Sequence, residues 1–156
     1  MGTSQILILV LSVIVIGVSV ARGINMFNKQ AKINHRQAIL DRINELVKEA
    51  LVYRKTPVSM GGGGNSYIGY TPPGAVESDH VAPNSPGGLK IEEEEVNYFI
   101  EWYFNDRLKI IASSKVYGEG HYWNNTYNAR ITAVFDSEGN IDANGFQMSG
   151  DWVEDF

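Results

Sequence analysis

The chain has 156 residues, of which 44% are hydrophobic and 20% charged, with 16 Gly, no Cys and a net charge of −5. That length suits one ordinary domain, and the apolar content is too high for a fully disordered chain. The lack of Cys excludes a disulfide framework, a thiolate metal site and a cysteine nucleophile, and the negative charge argues against a general nucleic-acid binder.

The charge is unevenly spread. Residues 1–55 carry eight basic and three acidic side chains, a balance of +5, whereas residues 56–156 carry five basic and fifteen acidic, a balance of −10. A basic stalk joined to an acidic body can attract further copies of itself.

The first element is the run Ile6–Ala21, ILILVLSVIVIGVSVA, which contains no charge. Ile24, Met26 and Phe27 prolong its apolar character past Arg22. About 20 apolar residues cross a bilayer as a helix, and lipid favours a helix because the backbone must satisfy itself there. Two other readings compete with a membrane span. A buried soluble helix would need more protein than this chain offers to cover it. A cleaved secretory signal fits the small residues Ser19 and Ala21, but the start MGTSQ lacks the usual Lys or Arg. The positive charges from Arg22 to Arg36 would place the following segment in the cytoplasm. The Gly-, Asn- and Tyr-rich loops point to an exterior protein, and the exterior orientation is the expectation here.

The second element continues the first. Ile33, Ile39, Leu40, Ile43, Leu46, Val47, Ala50 and Leu51 fall at spacings of three and four, which makes one apolar stripe. Asp41, Glu45 and Glu49 lie opposite, near Arg42, Lys48 and Arg54. No Pro interrupts residues 1–56, so the spacing predicts a single helix of about 50 residues, roughly 75 Å long. Gly17 and Gly23 weaken it by about 1 kcal/mol each. Pro57 and the run Gly61–Gly64 end it.

Residues 56–90 read as a Gly/Pro-rich surface loop, in which Tyr67, Ile68, Tyr70 and Val76 are candidates to pin the loop to the body. The four glycines are not followed by Lys-Ser/Thr, so they do not make a phosphate cradle. Residues 91–156 read as an antiparallel sheet of four strands, 96–104, 107–117, 127–135 and 141–148, joined at Asn105-Asp106 and at Asp136–Asn140. Phe99, Trp102, Phe104, Leu108, Ile110, Ile131, Ala133 and Phe135 are the core candidates, on a face that covers the helix stripe. Gly118–Asn125 is a further loop. The predicted fold is therefore α+β: a long N-terminal helix and a C-terminal antiparallel sheet head.

Chemical motifs are sparse. His35, His80 and His121 are scattered, and no nucleophile triad, HExxH or nucleotide fingerprint occurs. No catalytic residue and no cofactor are expected. Glu92–Glu95 reads as a solvated edge, or as an acidic patch for the basic stalk of a neighbour. Asn140, Asp142, Asn144 and Asp151 approximate a calcium loop, but Asn and Asp turn residues explain the same letters. Asn124-Asn125-Thr126 fits a glycosylation sequon.

The short polar start, the apolar run, the amphipathic continuation of the same helix and the loop leading to a sheet together resemble the type IV pilins. The resemblance covers the whole chain as architecture and residues 1–53 as motif. It implies a bacterial structural subunit rather than an enzyme. Such a subunit waits in the inner membrane and then joins a helical homopolymer on the cell surface. Gln5 stands where the family carries Glu at its fifth mature position; it can accept a hydrogen bond from a neighbour's terminal amine but cannot neutralise it. The family's basic leader ending in Gly has no counterpart before Met1-Gly2. The start also resembles a loose group of leaderless bacterial proteins with MGT-Q-apolar beginnings. On this reading Gln5, Ile6, Leu9, Val13, Ile16 and Val20 serve assembly in the filament core. Lys29, Lys32 and Arg36 would meet acids of a neighbour such as Asp41, Glu45 or its acidic head. The alternative is a single-span, membrane-anchored β-domain that binds a ligand or partner without polymerising.

Overall fold

A computed structural model describes residues 2–78, 88–103, 106–117 and 129–149. One helix, α1, runs from Thr3 to Lys55. A 3-10 turn follows at Val58–Met60. Six strands complete the chain: β1 (Ala75–Glu77), β2 (Gly88–Glu92), β3 (Val96–Tyr103), β4 (Arg107–Ser114), β5 (Arg130–Phe135) and β6 (Gln147–Ser149). They form one antiparallel sheet in which every strand pairs with its sequence neighbour. The α+β architecture is as the sequence predicts, and β1 and β2 are additional to the four expected strands; of the fourth, expected over 141–148, only Gln147 and Met148 are strand, because a turn at Asp142–Gly145 breaks the run after the single bridge at Ile141. The chain divides into two compact units, Met1–Ala38 and Ile39–Phe156. The boundary thus falls inside the helix rather than at its end.

In the second unit the helix stripe is buried. Ile39, Ile43, Leu46, Val47 and Ala50 join Leu89, Ile91, Tyr98, Ile100, Trp102, Leu108, Ile110, Ile131, Ala133 and Phe135 in one core. Strand alternation puts these sheet residues on one face, and the register confirms it, with Ile100 opposite Ile110 and Ile110 opposite Ala133. Phe99 departs from its expected place. It is buried, but one position out of phase with Tyr98 and Ile100, so it meets its cross-strand partner Ile111 in a second, smaller cluster. On this reverse face Glu101 is only 3% exposed and pairs with Lys109 across the strands at 3.0 Å. Both faces of the central hairpin are therefore covered. Phe104 and Asn105 lie outside the described residues.

The glycine run is a helix cap rather than a free excursion. The last carbonyls of a helix lack partners within it. Here the chain doubles back, and the backbone N–H groups of Gly63, Asn65 and Gly64 donate to the carbonyls of Tyr53 (2.8 Å), Arg54 (2.8 Å) and Thr56 (3.0 Å). The return is so close that a Cβ on Gly63 would collide with the Ser66 carbonyl and lie 2.7 Å from the Tyr53 ring. Gly63→Ala is therefore expected to destabilise the fold by about 1–3 kcal/mol, the usual cost of overpacking. Gly17→Ala, whose added Cβ meets nothing within 4 Å, serves as the control. Thermal melts of the two variants check the difference.

The remainder of the 56–78 segment is tied down by tyrosines. Tyr67 and Tyr70 are buried, as the sequence suggests, whereas Ile68 and Val76 stay exposed. The Tyr67 hydroxyl donates to the Asp136 carbonyl (2.9 Å), and Arg54 lies over the Tyr67 ring while donating to the Ser137 carbonyl (2.6 Å). Tyr53 donates to the Ile68 carbonyl (3.1 Å). The Tyr70 hydroxyl sits within reach of the Leu46 carbonyl (3.3 Å) and the Glu49 carboxylate (3.2 Å). Gly139, at φ 80°, approaches the helix so closely that a Cβ there would collide with Leu51. The loop and the β5–β6 connection are thus clasped to the last turns of the helix.

Candidate functional site

The largest unpartnered surface lies on the first unit. Every described residue up to Gln30 is exposed. Ile6 (57%), Leu9 (67%), Val13 (62%), Ile16 (62%) and Val20 (56%) follow one another at spacings of three and four, so they line one side of the helix. Leu7, Val10, Leu11 and Ile14 continue the apolar surface around it. The helix is long and apolar enough to cross a membrane. Two polar side chains inside the run are satisfied locally. Ser12 donates to the Ile8 carbonyl (2.8 Å) and Ser19 to the Val15 carbonyl (2.7 Å), so neither hydroxyl needs water. Gln5 stands exposed at the head of the apolar run, its backbone N–H donating to the Gly2 carbonyl at 2.9 Å.

The basic residues after the run are not equivalent. Lys29 is exposed, whereas Lys32 and Arg36 are half-buried and each already has an interaction within the chain. The acids proposed to meet a neighbour are also engaged at home. Asp41 has an interaction of its own, and Glu45 pairs with Arg42 at 2.6 Å. Arg42 also reaches Glu93 at 3.1 Å, which ties the β2–β3 turn to the helix. In that turn Glu92 is flanked by Lys90 (3.2 Å) and Lys115 (3.3 Å). The Lys90 ammonium, then that of Lys115, hold its carboxyl below the ordinary range.

The calcium pattern falls in the β5–β6 connection. Asp136 organises that turn: its Oδ1 accepts the backbone N–H of Glu138 (2.8 Å) and Asn140 (2.9 Å), and these bonds, Asn140 first, lower its carboxyl below the ordinary range. The Asn140 amide nitrogen turns toward Asp136 and Glu138, and Asp142 Oδ1 accepts from the Ala143 N–H. Asn144 follows in the same turn, and Asp151 lies outside the described residues. Among the described residues no three acidic or His side chains cluster as metal ligands. A chelator is accordingly expected to leave the thermal midpoint of the chain unchanged; a drop of several degrees reversed by calcium would show a site after all. His80, His121, the Gly118–Asn125 loop and the sequon likewise lie outside the described residues.

No protein-family model matches this chain, no curated protein is detectably similar to it, and no solved structure matches it.

Proposed function

We propose that this chain is the structural subunit of a bacterial cell-surface filament of the type IV pilin kind, held in the inner membrane by α1 before assembly. The observation that carries the reading is the apolar helix surface from Ile6 to Val20, exposed on all sides although the other half of the same helix buries its stripe in a complete core. Burying such side chains is worth about 1.5–3 kcal/mol each. In a membrane, lipid covers them. In a polymer, the helices of neighbouring copies cover the same surface, which offsets the loss of lipid when a subunit leaves the bilayer. The role is assembly, with no catalytic step.

Negative-stain microscopy of material sheared from the cell surface, with mass spectrometry of its N-terminus, tests the reading. Filaments built from this chain are expected. A chain that remains in the membrane fraction and yields no filaments would instead favour the anchored, non-polymerising β-domain.

A further inference from the structure

The end of α1 carries an exposed patch that the core does not use. Lys48, Val52 and Lys55 lie at spacings of four and three, a single line on the helix surface. The 3-10 turn that begins three residues later adds Val58 and Met60. Val52, Val58 and Met60 are 67%, 72% and 78% exposed, and all three belong to the well-packed unit rather than to the membrane-length run. Single exposed apolar residues are ordinary, but three within nine residues of chain, with two exposed lysines in the same stretch or just before it, are a candidate contact surface. Among the described residues neither Lys48 nor Lys55 has a hydrogen bond or ion pair.

The complementary surface is on the same molecule. The β2–β3 turn carries four successive acids, Glu92–Glu95, of which Glu94 is exposed and has no ion pair among the described residues. The turn is held in place through Glu93, which Arg42 grips, so Glu94 is presented from a fixed backbone. One copy does not bring Glu94 and the lysines together, although both surfaces are available.

We infer that the basic, apolar end of the helix at Lys48, Val52, Lys55, Val58 and Met60 docks the acidic β2–β3 turn of a second copy of this chain. The inference rests on the assembly reading and adds to it a contact between heads. Such a contact is heterologous, since the two surfaces differ, and heterologous contacts propagate into open chains when the rotation does not close. Apolar contact at Val52, Val58 and Met60 supplies adhesion, and the charges fix which surface is chosen.

The chain contains no Cys, so engineered thiols report without background. Full-length Lys55→Cys and Glu94→Cys chains, each expressed alone and as a mixed pair, are oxidised in the cell membrane and in detergent. Dimers from the mixed pair, and a ladder from the double variant, are expected. Lys55→Cys mixed with Asp106→Cys is the control. Adding Lys48→Glu to the Lys55→Cys chain of the mixed pair sets a carboxylate against Glu92, Glu93 and Glu95, which the Glu94→Cys turn keeps, and should slow cross-linking several-fold, with a smaller effect at high salt because exposed charges are screened within about 10 Å. Cross-linking no faster than in the Asp106 control overturns the proposal. If filaments form without the cross-link, the contact is wrong and the assembly reading stands. If the cross-link forms without filaments, the contact stands and the assembly reading fails.

Discussion

Replacing Val13 with Asp should abolish filaments while leaving the sheet head folded. Val13 is 62% exposed in the middle of the apolar run and belongs to the first compact unit, whereas the core of the head begins at Ile39. A carboxylate at the centre of a membrane helix costs about 2.5–3.5 kcal/mol on insertion scales. In a dry bundle of helices an unpaired carboxylate costs more. Val13→Leu keeps the surface apolar and should assemble normally. The measurement is filament yield by microscopy, with circular dichroism of the solubilised chain to follow the head. Normal filaments from Val13→Asp would remove the apolar helix as the agent of assembly.

The second large effect is alkaline unfolding. Burial raises the hydroxyl pKa of Tyr67, Tyr70 and Tyr98 above the ordinary 10.0. For Tyr70 the charge of Glu49 adds to burial, and for Tyr98 that of Glu93 does. The folded chain holds these protons to higher pH than the unfolded chain does. Above pH 10 the unfolded state therefore binds fewer protons, and stability falls as pH rises. Below that point the contribution is fully present. Tyr70 and Tyr98, which burial raises furthest, carry most of this dependence, and Tyr67 adds to it in the same direction. Denaturant unfolding at intervals from pH 8 to 11 should show a plateau and then a steep decline. Tyr70→Phe should make the decline visibly shallower. A flat profile through pH 11 would mean that the tyrosines ionise in the folded chain.

The long elements were legible in the sequence because their periods are unambiguous. Ile33 to Leu51 repeats at helical spacing with no Pro to stop it, and the apolar alternation of Leu108, Ile110 and Ala112 admits only a strand. β2 was harder to see. Leu89 and Ile91 alternate, but they follow Pro86-Gly87-Gly88, and composition favoured a loop. β1 is three residues long and is a strand only because β2 is beside it. Phe99 is buried as expected of a core candidate, but on the reverse face, because β3 reads VNYFIEWY, with bulky side chains at both parities. Such a run marks a strand buried on two sides. The capping role of Gly61–Gly64 depends on where three N–H groups point, which composition does not record. The exposed apolar stripe from Ile6 to Val20 could be marked out residue by residue. The patch at Val52, Val58 and Met60 could not, since whether an apolar residue at a helix end is covered depends on the fold around it.

The order of the elements also bears on how the head acquires its structure. Each strand from β2 onward pairs with the one before it, and the helix stripe that completes the core precedes them all. From β2 onward, each new strand therefore finds one partner already synthesised when it appears. Among the named strands, the longest connection between paired neighbours runs from Ser114 to Arg130, so loop closure within the sheet is inexpensive. A chain that emerges from its N-terminus can zip the sheet one strand at a time, always onto an existing edge. Past β1, it need not hold an unpaired hydrophobic strand in wait for a distant partner, a condition that exposes a folding chain to aggregation.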